Sequence, residues 1–142
     1  MIRAACHCTA VRLKMDEPPA WVIDCNCTLC RRYGALWAYY KAGEVRLLGD
    51  PGATDAYVWG NGWIAFHFCK TCGCITHHSV IGADPPWIRG VNARMMPTLD
   101  PASVNLQQTD NSHTGWFWTR PADKFQPGGQ PKMDPPGPDD WR

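Results

Sequence analysis

The eight cysteines of this chain fall in three short segments: Cys6-His7-Cys8, Cys25-Asn26-Cys27-Thr28-Leu29-Cys30 and Cys69-Lys70-Thr71-Cys72-Gly73-Cys74. Seven of them stand at spacings suited to hold metal, and Cys74 is left over. Thiolates at C-x-C or C-x-x-C spacing point two sulfurs at one ion, and zinc takes four such ligands tetrahedrally, at about 2.3 Å for sulfur. A C-x-C pair supplies only two ligands and needs a second pair from elsewhere. Cys6 and Cys8 at the start of one strand, with Cys69 and Cys72 at the end of a distant one, would close a four-cysteine site that ties the sheet together. Four protein ligands leave no open position, so this site is expected to be structural. Gly73 suits the knuckle there, where a β-carbon would crowd inward-turning amides.

The middle segment differs. Cys25, Cys27 and Cys30 give three thiolates, and a fourth position left to water or substrate is the pattern of a catalytic zinc. The alternative is that Cys74, His67, His77 or His78 fills that position and closes the second site as well. The expected cofactor is therefore zinc, two ions per chain.

Other chemistries find no support. The two glutamates, Glu17 and Glu44, do not adjoin a histidine. A Glu-assisted zinc hydrolase or deaminase is thus disfavoured, and H-E-x-x-H, G-x-S-x-G, phosphate-loop and dinucleotide glycine motifs are all missing. A disulfide framework fits poorly with 142 residues and no visible export signal. Net charge is +1 and the pI about 7.6, which argues against a broad nucleic-acid footprint. No apolar run approaches the length of a membrane span. The expectation is a cytoplasmic protein of one domain.

The elements that must position these cysteines read as strands. Ala10 to Met15 alternates apolar and polar residues at period two. Trp21-Val22-Ile23 leads into the second cysteine segment. Ala35 to Tyr40 is aromatic and fits a buried strand, and Val45 to Leu48 is another short one. Asp55 to Trp59 and Trp63 to Phe68 flank Gly60-Asn61-Gly62, a hairpin turn signal. Ile75 to His78 and Ile88 to Ala93 follow, separated by Asp84-Pro85-Pro86. Helix signals are weak: a turn after Cys30, and one at Asp100-Pro101-Ala102-Ser103 with Asp100 as cap. The pattern predicts a mostly β domain over residues 1–120. From Pro121 to Arg142, six prolines and three glycines in 22 residues predict an extended or disordered tail, which Trp141 near its end inclines toward docking.

The three cysteine segments, in this order, resemble the glutathione-dependent formaldehyde-activating enzyme family, also called the centromere protein V family. The resembling residues run from Ala5-Cys6-His7-Cys8-Thr9-Ala10-Val11-Arg12, through Cys25-Asn26-Cys27-Thr28-Leu29-Cys30-Arg31-Arg32 and Gly34, to Phe68-Cys69-Lys70-Thr71-Cys72-Gly73. Val91 to Arg94 and Leu99-Asp100 extend the likeness. The resemblance implies a β-tent fold of small antiparallel sheets around zinc. It implies a structural zinc on Cys6, Cys8, Cys69 and Cys72, and a second zinc on Cys25, Cys27 and Cys30, where the family's activity is placed. That activity joins formaldehyde and glutathione into S-hydroxymethylglutathione, formally a carbon–sulfur lyase running backwards. Family members often carry glycine where this chain has Ala5 and Thr9.

The implied partners are a small-molecule thiol and an aldehyde. Arg31 or Arg32, beside the open site, could pair with a glutathione carboxylate or simply balance the cysteine thiolates. Eight tryptophans are several times ordinary usage. Trp37, Trp59, Trp63, Trp116 and Trp118 either pack the core or line an aromatic pocket for a larger aldehyde. The function expected is a zinc-dependent thiol–aldehyde adduct lyase or synthase. The alternative is a binding module in which both metals are structural.

Overall fold

A computed structural model of the chain describes residues 1–58, 62–84, 87–100 and 102–109. Among these the chain is mostly β, as its period-two patterning predicts, with two sheets and one four-residue helix. Strands β1 (Ile2–Ala5), β2 (Arg12–Met15) and β5 (Val45–Leu48) form a three-stranded antiparallel sheet in the order β1-β2-β5. The remaining strands are β3 (Val22–Cys25), β4 (Leu36–Tyr39), β6 (Thr54–Val58), β7 (Ile64–Cys69), β8 (Ile75–Val80), β9 (Trp87–Asn92) and β10 (Leu106–Thr109). They form a seven-stranded sheet in the order β10-β3-β4-β9-β8-β7-β6.

Two features depart from the sequence reading. Strand β1 precedes the first cysteine pair, so Cys6 and Cys8 occupy the turn between β1 and β2 and not the start of a strand. The last described strand, β10, lies parallel to β3, with Leu106 opposite Val22 and Thr109 opposite Cys25. It is the one parallel pairing among the described strands, and nothing local to Leu106-Gln107-Gln108-Thr109 announces it. The Asp100 turn does form, with the Asp100 carboxylate accepting from Ala102 N–H at 2.9 Å. Trp59, Gly60, Asn61, Pro85, Pro86, Trp116, Trp118, Trp141 and the whole segment from Pro121 onward lie outside the described residues.

The large sheet separates two cores, and β4 shows how. Successive side chains on a strand point to opposite faces. Leu36 and Ala38 join Ile2, Ala4, Leu13, Met15, Val22 and Val91 in the core shared with the small sheet. Trp37 turns the other way, toward Phe66, Ile64, Ile75 and the cysteines of the middle segment. Each cysteine group thus sits on its own face of one scaffold.

Two irregularities set what β8 presents. Between β7 and β8 the register shifts after His67, so Thr76 is the extra residue. Between β8 and β9 it shifts after His78, which makes Arg89 the extra residue on β9. Such bulges re-aim side chains and cluster beside functional sites. His78 leans over its cross-strand partner Gly90 so closely that a β-carbon there would meet its Nε2 at 2.0 Å. Replacing Gly90 with alanine is therefore expected to push the His78 ring out of place and cost about 1–3 kcal/mol, the usual range for overpacking. Equilibrium urea unfolding checks this, and an unchanged midpoint would show that the ring moves away at no cost.

Candidate metal centres

The first group forms where the β1–β2 turn meets the end of β7. The Cys6 N–H bonds Val11 O at 3.0 Å and the Thr9 N–H bonds Cys6 O at 2.9 Å, folding the Cys6-His7-Cys8 segment into a tight turn. Thr9 closes it at φ 63°, a left-handed conformation strained for a β-branched residue. On the other side, the Cys69 N–H bonds Cys74 O and the Gly73 N–H bonds Cys69 O, both at 2.9 Å, with Gly73 at φ 72°.

The two turns bring the sulfurs of Cys6, Cys8, Cys69 and Cys72 within 4.8 Å of one another. The Cys6–Cys8 and Cys8–Cys69 sulfur separations are both 3.6 Å. Four sulfurs around a tetrahedral zinc would lie about 3.8 Å apart, so the set fits such an ion. Backbone N–H groups of Cys74 and Cys8 turned toward the Cys72 sulfur hold that thiol down at about 5. Cys74 belongs to neither sulfur group. Its sulfur faces the backbone N–H of His7, which places it at the margin of the four-cysteine group.

The second group forms where β3 ends. Cys25 is its last residue, Cys27 follows in the connecting turn, and Cys30 opens helix α1 (Cys30–Tyr33). The helix stops after one turn because Gly34 takes the left-handed conformation and returns its N–H to Cys30 O at 3.0 Å. Arg94 clamps this end, its Nε donating to Gly34 O at 2.6 Å. The sulfurs of Cys25, Cys27 and Cys30 lie within 4.8 Å of one another, and all three residues are buried. No other Cys, His, Asp or Glu among the described residues joins that grouping. His67, His77 and His78 instead lie on β7 and β8 outside it: His67 stacks on His77 with centroids 4.3 Å apart and bonds Ser79 Oγ at 2.8 Å.

The chemistry of the trio favours a cation. Thiol hydrogen bonds from Cys27 and Cys30 hold Cys25 down at about 3, and Cys25 in turn pushes Cys27 up to about 11. One negative charge is thus shared among three sulfurs, and a bound cation would let all three ionise. The Cys30 N–H reaches Cys27 Sγ at 3.3 Å, and the indole N–H of Trp37 reaches Cys30 Sγ at 3.3 Å.

Trp37, a pocket or core residue by sequence, is thus a buried core residue that also bonds a trio sulfur, a contact its sequence position does not signal. Trp63 is partly exposed and does not join the trio's apolar surround. Arg31 and Arg32 lie on α1, both exposed, with Arg32 donating to Thr28 O at 2.6 Å.

Beside the trio, on the same face, lies a group that spacing could not reveal. His78 is 1% exposed and packs edgewise on Trp37 at 4.7 Å and against Tyr39 and Phe66, each at 5.5 Å between centroids. Burial, then the nearby Arg89 charge, keeps its imidazole neutral well below the usual histidine range. Among the described residues no helix is long and apolar enough to cross a membrane.

Residues 1–103 match the family described as glutathione-dependent formaldehyde-activating enzyme. Among solved structures, the crystal structure of a Rhodobacter sphaeroides protein is similar, with 28% identity and a TM-score of 0.61. The likeness covers 75% of this chain and 100% of the other.

Proposed function

The chain belongs to the glutathione-dependent formaldehyde-activating enzyme family, and from that premise we propose that it is a zinc-dependent enzyme of the carbon–sulfur lyase type. In this reading it adds a thiol such as glutathione to formaldehyde or another small aldehyde. The observation that supports it is the buried trio Cys25, Cys27 and Cys30, which gathers three sulfurs and no fourth protein ligand among the described residues. Cys6, Cys8, Cys69 and Cys72 would hold a second, structural zinc. Zinc at the trio would supply Lewis acidity, lowering a thiol's pKa or polarising a carbonyl.

The chain's own groups have definite parts in such a reaction. The trio fixes where the cation sits. Trp37 donates to Cys30 and so spreads negative charge away from that sulfur. Phe66, Ile64 and Trp37 pack beside the sulfurs and keep bulk water from them. Arg31 and Arg32, exposed on α1 next to Cys30, offer positive charge to a carboxylate of the thiol. In the addition, the thiol sulfur forms a bond to the carbonyl carbon, the carbon–oxygen π bond opens, and the oxygen takes up the proton that the thiol gives up. Thiolate ligands and a thiol substrate both suit a reducing compartment such as the cytoplasm. The catalytic domain is proposed to span residues 1–120, with 121–142 as an appended tail.

The test uses isotopically labelled formaldehyde and glutathione, followed by NMR, with the zinc-loaded protein and a heat-denatured control. Adduct exchange faster than the control, and lost on chelation, is the expected result. Exchange equal to the control for formaldehyde and for a series of larger aldehydes would favour a binding module in which both metals are structural.

A further inference from the structure

Strand β10 adds little to either core. Leu106, Gln107 and Gln108 are exposed, and Thr109, its last residue, is the one that is not. The strand also lies beyond residues 1–103, the span of the family match. Apolar burial explains little of its place at the edge of the large sheet. Its register explains more. The parallel ladder sets Thr109 opposite Cys25, and residues paired across a ladder turn their side chains to the same face. The Asn26 N–H bonds Thr109 O at 3.5 Å, which ties the end of β10 to the turn that carries the trio.

The Thr109 hydroxyl is buried and makes no well-formed hydrogen bond among the described residues. Native interiors seldom leave a buried hydroxyl unused. After the Cys27 and Cys30 thiols, and with the Cys27 N–H, it is one of the groups that hold the Cys25 thiol down, so it stands close to that sulfur. A hydroxyl can donate to a thiolate, and a charged acceptor draws the shorter and stronger bond.

The neighbour on the other side of β3 already does this. The sheet order runs β10-β3-β4, and Trp37 of β4 donates its indole N–H to Cys30 Sγ at 3.3 Å. The two strands that flank β3 thus each bring one side-chain donor to the trio's face.

We infer that Thr109 is a positioning residue of the metal-loaded trio, its hydroxyl donating to the Cys25 sulfur as the Trp37 indole donates to Cys30. The inference rests on the reading of Cys25, Cys27 and Cys30 as a zinc site. Three thiolates around a divalent ion leave a net negative charge, which blunts the ion's pull on a carbonyl or a thiol. A donor to a ligand sulfur draws part of that charge away and fixes the direction of the sulfur. Thr109 acts through Cys25, and β10 is the strand that delivers it.

The test loads the full-length protein with cadmium-113 and records proton–cadmium correlation NMR. Cysteine β-protons assign one cadmium resonance to the trio and one to the four-cysteine group. In Thr109→Val the trio resonance should move beyond its linewidth while the four-cysteine resonance stays, and Thr109→Ser, which keeps the hydroxyl, should return it toward the parent position. Zinc affinity at the trio should fall about tenfold in Thr109→Val and recover in Thr109→Ser, the scale of a lost outer hydrogen bond to a metal ligand. A trio resonance that is the same in parent and valine variant, or that moves as far with serine as with valine, would overturn the role of the hydroxyl alone. A purely structural Thr109 would lower the melting temperature and leave the trio resonance where it is. A chain that takes up cadmium only at the four-cysteine group would overturn the metal reading of the trio and this role with it. Should Thr109→Val not fold, Thr109→Ala, which removes the hydroxyl without adding bulk, decides by the same resonance.

Discussion

Replacing Cys69 with serine is expected to abolish the folded state. Cys69 is fully buried, ends β7, and brings its sulfur within 3.6 Å of Cys8, which lies 61 residues earlier in the chain. The four-cysteine group is where the β1–β2 turn of the small sheet meets β7 of the large one, and a metal there closes a long loop. In small metal-stabilised domains, structural zinc supplies about 10–16 kcal/mol of apparent binding energy that is spent on folding. Ordinary stabilities are about 5–15 kcal/mol, so losing this ligand removes most or all of the margin. The predicted readout is a far-ultraviolet circular dichroism spectrum without the β signature, and a chain that retains less than one zinc. Chelation of the unsubstituted protein should give the same spectrum. A cooperative unfolding transition close to that of the parent would show that the two sheets hold together without this site.

The second large effect is separable from the first. Cys25→Ser should leave the fold in place, remove one of two zinc equivalents, and lower thiol–aldehyde turnover by about 10³-fold or more, equivalent to about 4 kcal/mol of transition-state stabilisation. The reason is topological. The trio lies within six consecutive residues, Cys25 to Cys30, so a metal there closes only a short loop. On loop-closure entropy alone, the four-cysteine site gains about 2 kcal/mol more than the trio. The trio's neighbourhood also has its own packing, with Trp37, Ile64, Phe66 and Ile75 buried around it. Metal analysis, a thermal melt and the adduct-exchange rate, all on one preparation, check the prediction. A variant that keeps both metals and full turnover would remove Cys25 from the site.

What the sequence made legible, and what it did not, follows from the range of the interactions. The cysteine segments could be read because each is local: a C-x-C or C-x-x-C turn states its own purpose within a few residues. The pairing of Cys6 and Cys8 with Cys69 and Cys72 was readable by ligand arithmetic, since two sulfurs are too few. Most strands were readable because Arg12 to Met15 or Leu36 to Tyr39 alternate or carry strand-forming residues over their own length. Strand β10 was not, because its place is fixed by a parallel ladder to β3 more than eighty residues away.

The bulges were equally silent. Nothing in Ile88-Arg89-Gly90 says that Arg89 is the extra residue, since that depends on the register of β8. The sequence places His78 on a strand and offers it as a possible ligand, but says nothing of its neighbours. Its place in an aromatic cage over Gly90 depends on four strands at once. The indole hydrogen bond from Trp37 to Cys30 could have been suspected from a tryptophan seven residues after a ligand-type cysteine, but a strand and a helix must first meet at the right angle.

The two sulfur groups predict different surroundings for their metals, and zinc-edge X-ray absorption on the fully loaded protein reads both directly. The account predicts two zinc ions per chain with an average of three and a half sulfur neighbours, four at one site and three at the other. One nitrogen or oxygen neighbour should complete the second site, and glutathione should displace it and raise the sulfur average toward four. A chain that binds a single zinc, or two zincs that both carry four sulfurs before any thiol is added, would contradict it.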